Sequence, residues 1–143
     1  MEKHDEAIRN EVWQFFKPLQ IVYFATVDKN EPKVRPVTML YLEKRFWILT
    51  GTIDQKVIQI KGNPNIELCI PLYQDNHNGC IRLAGKGYIV ESKETRARIA
   101  GQCEYFHNYW QDTNDPNYTL IELEFSEVDY LRPGEMETHR FNI

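Results

Sequence analysis

Between Leu19 and Leu49 the chain carries three runs rich in β-branched and aromatic residues, separated only by short polar segments. Leu19 to Asp28 reads LQIVYFATVD. The polar stretch Asp28-Lys29-Asn30-Glu31-Pro32 turns it back into Lys33 to Tyr41, and a turn around Glu43-Lys44-Arg45 leads to Phe46 to Leu49. A parallel crossover needs about a dozen residues or more, so connections this short force an antiparallel meander. The first run is apolar enough to predict a strand covered on both faces.

The remaining pattern fits around that meander. From Asp5 to Lys17, Ile8, Val12, Phe15 and Phe16 recur at helical steps; Asp5 offers a cap, Glu6 suits the positive helix end, and Pro18 stops the run. Thr52 and Gln55 have the T-x-x-Q spacing of a capping box before a second helix, with Ile53, Val57 and Ile60 on one face. Gly62 and Asn63-Pro64 end it. Ile66 to Leu72 and Cys80 to Val90 read as strands, and Gly85 and Gly87 inside the latter mark a bulge or barrel corner. Ser92 caps a third helix with Ile99, Cys103, Phe106 and Trp110 on one stripe. A loop at 112–116 leads to a strand from Tyr118 to Phe125, and a partly extended tail from Val128 is interrupted by Pro133-Gly134. Few helices and many tightly linked strands predict a mainly β chain, a barrel with flanking α, rather than a parallel α/β sheet. With 143 residues and no repeat or linker, a single domain spanning 1–143 is expected.

Composition removes several function classes. The net charge of −4, without any basic run, argues against a nucleic-acid partner. No apolar run approaches the roughly 20 residues of a membrane span, and the charged N-terminus lacks a signal-peptide core, so a cytoplasmic protein is expected. Cys69, Cys80 and Cys103 are odd in number, lack CxxC spacing and read as small buried hydrophobes. His4, His77, His107 and His139 lack metal-ligand spacing, so no metal site is expected. Neither a P-loop nor a GxSxG nucleophile elbow occurs.

Three places carry chemistry. In Val34-Arg35-Pro36-Val37-Thr38-Met39, a proline inside an apolar strand implies an edge, a bulge or a neighbour other than a strand, such as a planar ligand. In Leu49-Thr50-Gly51-Thr52-Ile53-Asp54-Gln55-Lys56, a strand end, a glycine turn and a helix N-terminus gather backbone N–H groups, two hydroxyls and a lysine suited to an anion. Asp54 is an awkward neighbour for a phosphate unless it pairs with Lys56. The third place is Tyr105-Phe106-His107-Asn108-Tyr109-Trp110, where Trp110 either covers a planar ligand or packs the helix onto the barrel.

The first two places occur in a telling order. An ATVD strand, a polar turn, a KVRPV strand, a strand ending LTG, and a helix containing Lys56 and ending in Asn-Pro together resemble the pyridoxamine 5'-phosphate oxidase-like family of FMN-binding split barrels. The similarity runs from about Tyr23 to Leu72 and continues in Ile81-Arg82-Leu83-Ala84-Gly85; it is closest to the short general stress proteins. The resemblance implies a six- to seven-stranded antiparallel split β-barrel with about three helices, working as a homodimer with FMN at the subunit interface. It implies cofactor contacts at Arg35, Pro36, Val37, Thr38 and Met39 beside the ring, and at Thr50, Gly51, Thr52, Gln55 and Lys56 around the phosphate. Trp110 is the candidate contribution from the partner. Gln55-Lys56 stands where true pyridoxamine phosphate oxidases carry Arg-Lys, Cys80 stands where they have glutamine, and their C-terminal substrate-binding extension is not recognisable here. Vitamin B6 oxidation is therefore not expected. An FMN-dependent oxidoreductase acting on an unidentified small molecule is, with no catalytic residue named because the flavin would carry the chemistry. The alternatives are a non-catalytic flavin carrier, or the same barrel holding a deazaflavin or haem; haem would need an axial ligand from His77 or His107.

Overall fold

A computed structural model describes residues 3–143. Helix α1 (Lys3–Trp13) precedes the meander β1 (Leu19–Asp28), β2 (Glu31–Leu42) and β3 (Arg45–Gly51). Helix α2 (Gln55–Gly62), strands β4 (Asn65–Gln74) and β5 (His77–Ile89), and helix α3 (Lys93–Gly101) follow. A short 3-10 turn at Phe106–Asn108 leads to β6 (Tyr118–Leu131) and β7 (His139–Asn142). The strands form one antiparallel sheet in the order β3-β2-β1-β4-β5-β6-β7, and a β3–β6 pairing closes it into a ring. The expected mainly β barrel of six to seven antiparallel strands with about three helices is thus the observed architecture, six strands closing the ring and β7 extending it from β6.

Its hairpins are made by local chemistry. Lys29 and Asn30 (φ 49° and 67°), Glu43 and Lys44 (57° and 59°), and Asp75 and Asn76 (54° and 64°) each turn in two left-handed residues. Two successive positive φ values match the twist of the flanking strands. A register shift between Ala84 and Gly85 bends β5 against β6. There a Cβ would strike the Glu124 carbonyl, so glycine is required by the approach of another backbone.

Two apolar clusters hold the molecule together. The barrel interior gathers Val22, Phe24, Met39, Ile81, Leu83 and Ile121, with Val57 and Ile60 of α2 closing one end. On the outer side of β3 and β6, α3 and the 3-10 turn cover Leu40, Trp47, Leu49, Tyr118 and Leu120.

Several local expectations differ from what the chain does. Helix α1 already includes Lys3, so Asp5 lies in its first turn rather than capping it. It ends at Trp13 instead of continuing to Lys17, because Phe15 and Phe16 leave the helix for the barrel mouth, where Phe16 meets Phe46 edge-on at 5.2 Å. Strand β1 is covered on one face only: Val22 and Phe24 are fully buried while Ile21 is 69 % and Tyr23 49 % exposed. Ile53 is exposed ahead of α2 and does not share the buried face of Val57 and Ile60. The stripe of Ile99, Cys103, Phe106 and Trp110 is buried as expected, but on a helix that stops at Gly101 followed by the tighter turn. Strand β6 runs past Phe125 to Leu131 because β5 and then β7 keep pairing with it.

Candidate functional site

The site grows from a divergence of strands. Strands β2 and β3 pair only at Leu40–Trp47, Tyr41–Phe46 and Leu42–Arg45. Beyond that, β3 pairs with β6 as far as Gly51, while β2 stays with β1. The fork leaves one edge of β2 open, and its orientation follows from one bond. The Tyr41 N–H donates toward β1, to the Pro18 carbonyl, at 3.0 Å. Amide direction alternates along a strand, so the amides of Met39, Val37 and Arg35 also face β1, and position 36 and Thr38 face the open edge. Pro36 therefore sits where a missing N–H costs nothing, and the Thr38 N–H points into the fork.

A cavity of about 420 Å³ occupies the fork. Pro36, Val37 and Thr38 form its β2 wall, and Leu49, Thr50 and Gly51 its β3 wall. Lys56 enters from the first turn of α2, and Tyr105, Tyr109 and Trp110 close the far side. The Thr50 hydroxyl makes no hydrogen bond among the described residues, and neither does the buried Tyr105 hydroxyl. Burial pushes the Tyr105 phenol well above its usual range, so it stays protonated. Trp110 donates its Nε1–H to the Asn117 carbonyl at 3.0 Å and packs 5.3 Å from both Phe106 and Tyr118. It thus reaches the cavity of its own chain without any partner.

The anionic end of the site is arranged differently from the capping-box expectation. Asp54, not Thr52, caps α2, accepting from the Lys56 N–H at 3.1 Å. The Thr52 hydroxyl is held instead by the Pro116 carbonyl at 2.7 Å and by Thr119 at 2.8 Å. The Asp54 carboxylate also pairs with the Lys56 ammonium at 3.1 Å. Burial alone would raise the Asp54 pKa, but the Lys56 amide and ammonium, with Arg35 behind them, hold it below the usual carboxylate range.

The expected site residues therefore divide. Pro36, Val37, Thr38, Thr50, Gly51, Lys56 and Trp110 come together around the cavity. Met39 is fully buried in the barrel and its backbone groups face β1, so it does not reach the cavity. Arg35 turns the other way, donating to Thr26 Oγ1 at 2.9 Å and Gln59 Oε1 at 2.7 Å. Gln55 faces a separate polar groove of about 880 Å³ between the β1–β2 turn and α2. That larger groove is walled by turn residues such as Lys29 and Asn30 and has no aromatic residue in its lining. Tyr105 and Tyr109 were missed as lining residues; the aromatic segment was legible, but which of its rings face inward depends on the turn after Gly101. Cys103 is buried, whereas Cys69 and Cys80 are only partly covered on the outer face of β4 and β5. Burial, helped by Cys80 close by, pushes the Cys69 thiol up to about 11. Among the described residues no three metal-ligating side chains cluster, and no helix is long and apolar enough to cross a membrane.

Comparison with known proteins bears on this geometry. The sequence profile of the pyridoxamine 5'-phosphate oxidase family matches residues 8–132. General stress protein 26 of Bacillus subtilis is 22 % identical over 133 residues, covering 92 % of this chain and 94 % of that protein. The crystal structure of general stress protein 26 from Bacillus anthracis superposes with a TM-score of 0.71 at 18 % identity, covering 94 % of this chain and 98 % of the other. A heme binding protein from Mycobacterium smegmatis superposes with a TM-score of 0.73 at 14 % identity, over 99 % of this chain but 59 % of its own.

Proposed function

The chain belongs to the pyridoxamine 5'-phosphate oxidase family, and from that premise we propose that it is an FMN-binding flavoprotein, an oxidoreductase that works as a homodimer with the flavin at the subunit interface. The observation that carries the reading is the fork itself: an open strand edge, two hydroxyl-bearing or glycine positions and one lysine share a cavity walled by aromatic rings. The residues fit the group at one end better than the other. Pro36 to Thr38 offer a planar ring a backbone edge with a free N–H, and Tyr105, Tyr109 and Trp110 offer it an aromatic wall. Thr50, Gly51 and Lys56 would hold the phosphate end, with a single cation to do so. When bound, the flavin supplies the redox chemistry, and the chain contributes binding, orientation and exclusion of water.

The dimer reading rests on the uncovered face of β1 and its neighbours. Ile21 and Val34 (each 69 % exposed) and Tyr23 (49 %) lie on adjacent strands beside the exposed Pro36, so the apolar face runs up to the mouth of the cavity. A contiguous apolar surface of this kind marks an association site, and a second copy seated on it would complete the wall of the cavity.

A visible spectrum of the purified protein, followed by FMN titration of wild type and Lys56→Ala, tests the flavin. Flavin binding that weakens roughly tenfold or more in the variant supports the reading. A colourless protein indifferent to FMN overturns it. Haem is the competing occupant because one fold neighbour is a heme binding protein. Here neither His77 nor His107 lines the cavity, so a Soret band would have to come from another ligand arrangement. Turnover of a reduced nicotinamide by the loaded protein separates an oxidoreductase from a flavin carrier, and sedimentation of wild type against Ile21→Glu tests the dimer.

A further inference from the structure

We infer that Asp54 is a specificity residue of this site: its carboxylate already occupies the one cation available to a phosphate, so the cavity discriminates only weakly between a flavin bearing a terminal phosphate and one ending in a free hydroxyl. The inference rests on the flavin reading above and deepens it.

The charge balance can be read off the contacts. Lys56 is the only cationic residue lining the cavity among the described residues, and its side chain is 9 % exposed. Its ammonium lies 3.1 Å from Asp54 Oδ1, and the Asp54 side chain, which does not itself line the cavity, is 45 % exposed. Arg35 does not line the cavity: its terminal nitrogens donate to Phe24, Thr26, Lys33 and Gln59, and its charge acts there only at longer range, through Asp54. Gln55, one position before Lys56, is neutral and faces the other groove. The Thr52 hydroxyl is committed to Pro116 and Thr119. What lines the cavity for an incoming dianion is an ammonium already paired with a carboxylate, the Thr50 hydroxyl and the backbone. Because Asp54 stays ionised at neutral pH, any phosphate seated on Lys56 meets a like charge a few ångströms away. A neutral ribityl end meets no such repulsion.

The experiment compares FMN with riboflavin by fluorescence titration on wild type, Asp54→Asn and Asp54→Ser. Asparagine and serine both remain good helix caps, so the change removes a charge and leaves α2 capped. Removing the carboxylate exposes an unpaired ammonium, and FMN is expected to bind about tenfold tighter while riboflavin changes less than about twofold. The FMN affinity of Asp54→Asn should also fall steeply with added salt, whereas that of wild type should hardly move. Equal changes for FMN and riboflavin, or weaker FMN binding in both variants, overturn the inference while leaving the flavin site standing. Failure of all three proteins to bind either flavin overturns the flavin reading and this inference with it.

Discussion

Gly85 offers a direct test of how the barrel closes. The strand pairing of β5 with β6 shifts register at Ala84/Gly85, and this brings the Glu124 carbonyl and the Phe125 Cα against the glycine. An added Cβ would lie 2.7 Å from Phe125 Cα and closer still to the Glu124 oxygen. Both obstacles are backbone, held by their own pairing with β5 and flanked by the β3 ladder that ends at Leu123 and the β7 ladder that starts at Glu127, so neither moves freely. Overpacking that backbone costs about 3 kcal/mol or more, the upper end for inserted groups in a packed core. For a chain of this size that lowers the melting temperature by roughly 6–12 °C. Gly87, two residues along the same strand, is the internal control. Its Cβ would meet Ile60 Cδ1 at 3.4 Å and Ile121 Cγ2 at 3.6 Å, which are flexible side chains at ordinary contact. Gly87→Ala should therefore stay within about 1 kcal/mol of wild type, helped by the smaller entropy of its unfolded chain. Urea unfolding of both variants, with far-UV circular dichroism as readout, decides the matter. If Gly85→Ala is as stable as wild type, or Gly87→Ala is equally damaged, the bulge does not have the tight backbone approach on which the argument stands.

Two further outcomes follow from polar contacts. Gln59 Oε1 accepts from both Thr26 Oγ1 (2.5 Å) and Arg35 Nη2 (2.7 Å), so Gln59→Leu strands two donors, one of them on a residue only 1 % exposed. We expect a loss of about 1–3 kcal/mol in urea unfolding, and an unchanged midpoint would show that water replaces the amide. At the opposite end, Glu11 accepts from Arg132 Nε (2.9 Å) and from the Tyr130 hydroxyl (2.5 Å), tying α1 to β6 and the residue beyond its end. The Arg132 bond, resisted by burial and supported by Tyr130, holds the Glu11 carboxyl below its ordinary value of 4.5. A carboxyl depressed in the folded state contributes stability above its unfolded pKa and loses it as pH falls through the folded one. The stability gap between wild type and Glu11→Gln should therefore be full near neutral pH and shrink below pH 4.5; parallel profiles across that range would contradict it.

What could be read without coordinates is local in origin. The boundaries of β1 from Leu19 to Asp28 were legible because a turn with two left-handed residues and the Lys17-Pro18 break flank the run, and both act within a few residues. The bulge at Gly85 was legible for the same reason, since few positions inside a strand accept glycine without cause. The cap of α2 was not. Thr52 and Asp54 are both good acceptors two residues apart, and what removes Thr52 from the choice is Thr119, 67 positions away, together with the Pro116 carbonyl. Arg35 behaves likewise: its place on β2 could be anticipated, but its direction is set by Gln59 on a later helix.

The sequence by itself determined the antiparallel meander, the barrel class and that Pro36 must sit at an edge, a bulge or beside something other than a strand, because turn geometry and the missing proline donor are properties of adjacent residues. Tertiary structure alone decided that β2 and β3 part after Leu40–Trp47, that Tyr105, Tyr109 and Trp110 face the gap, and that Asp54 holds Lys56. Those outcomes depend on how far β3 stays with each of its two neighbours. Strand β6 stays paired with β3 from Phe46 to Gly51, whereas β2 pairs with its other edge only from Arg45 to Trp47, and the edge freed beyond that point is the one from which the site is built.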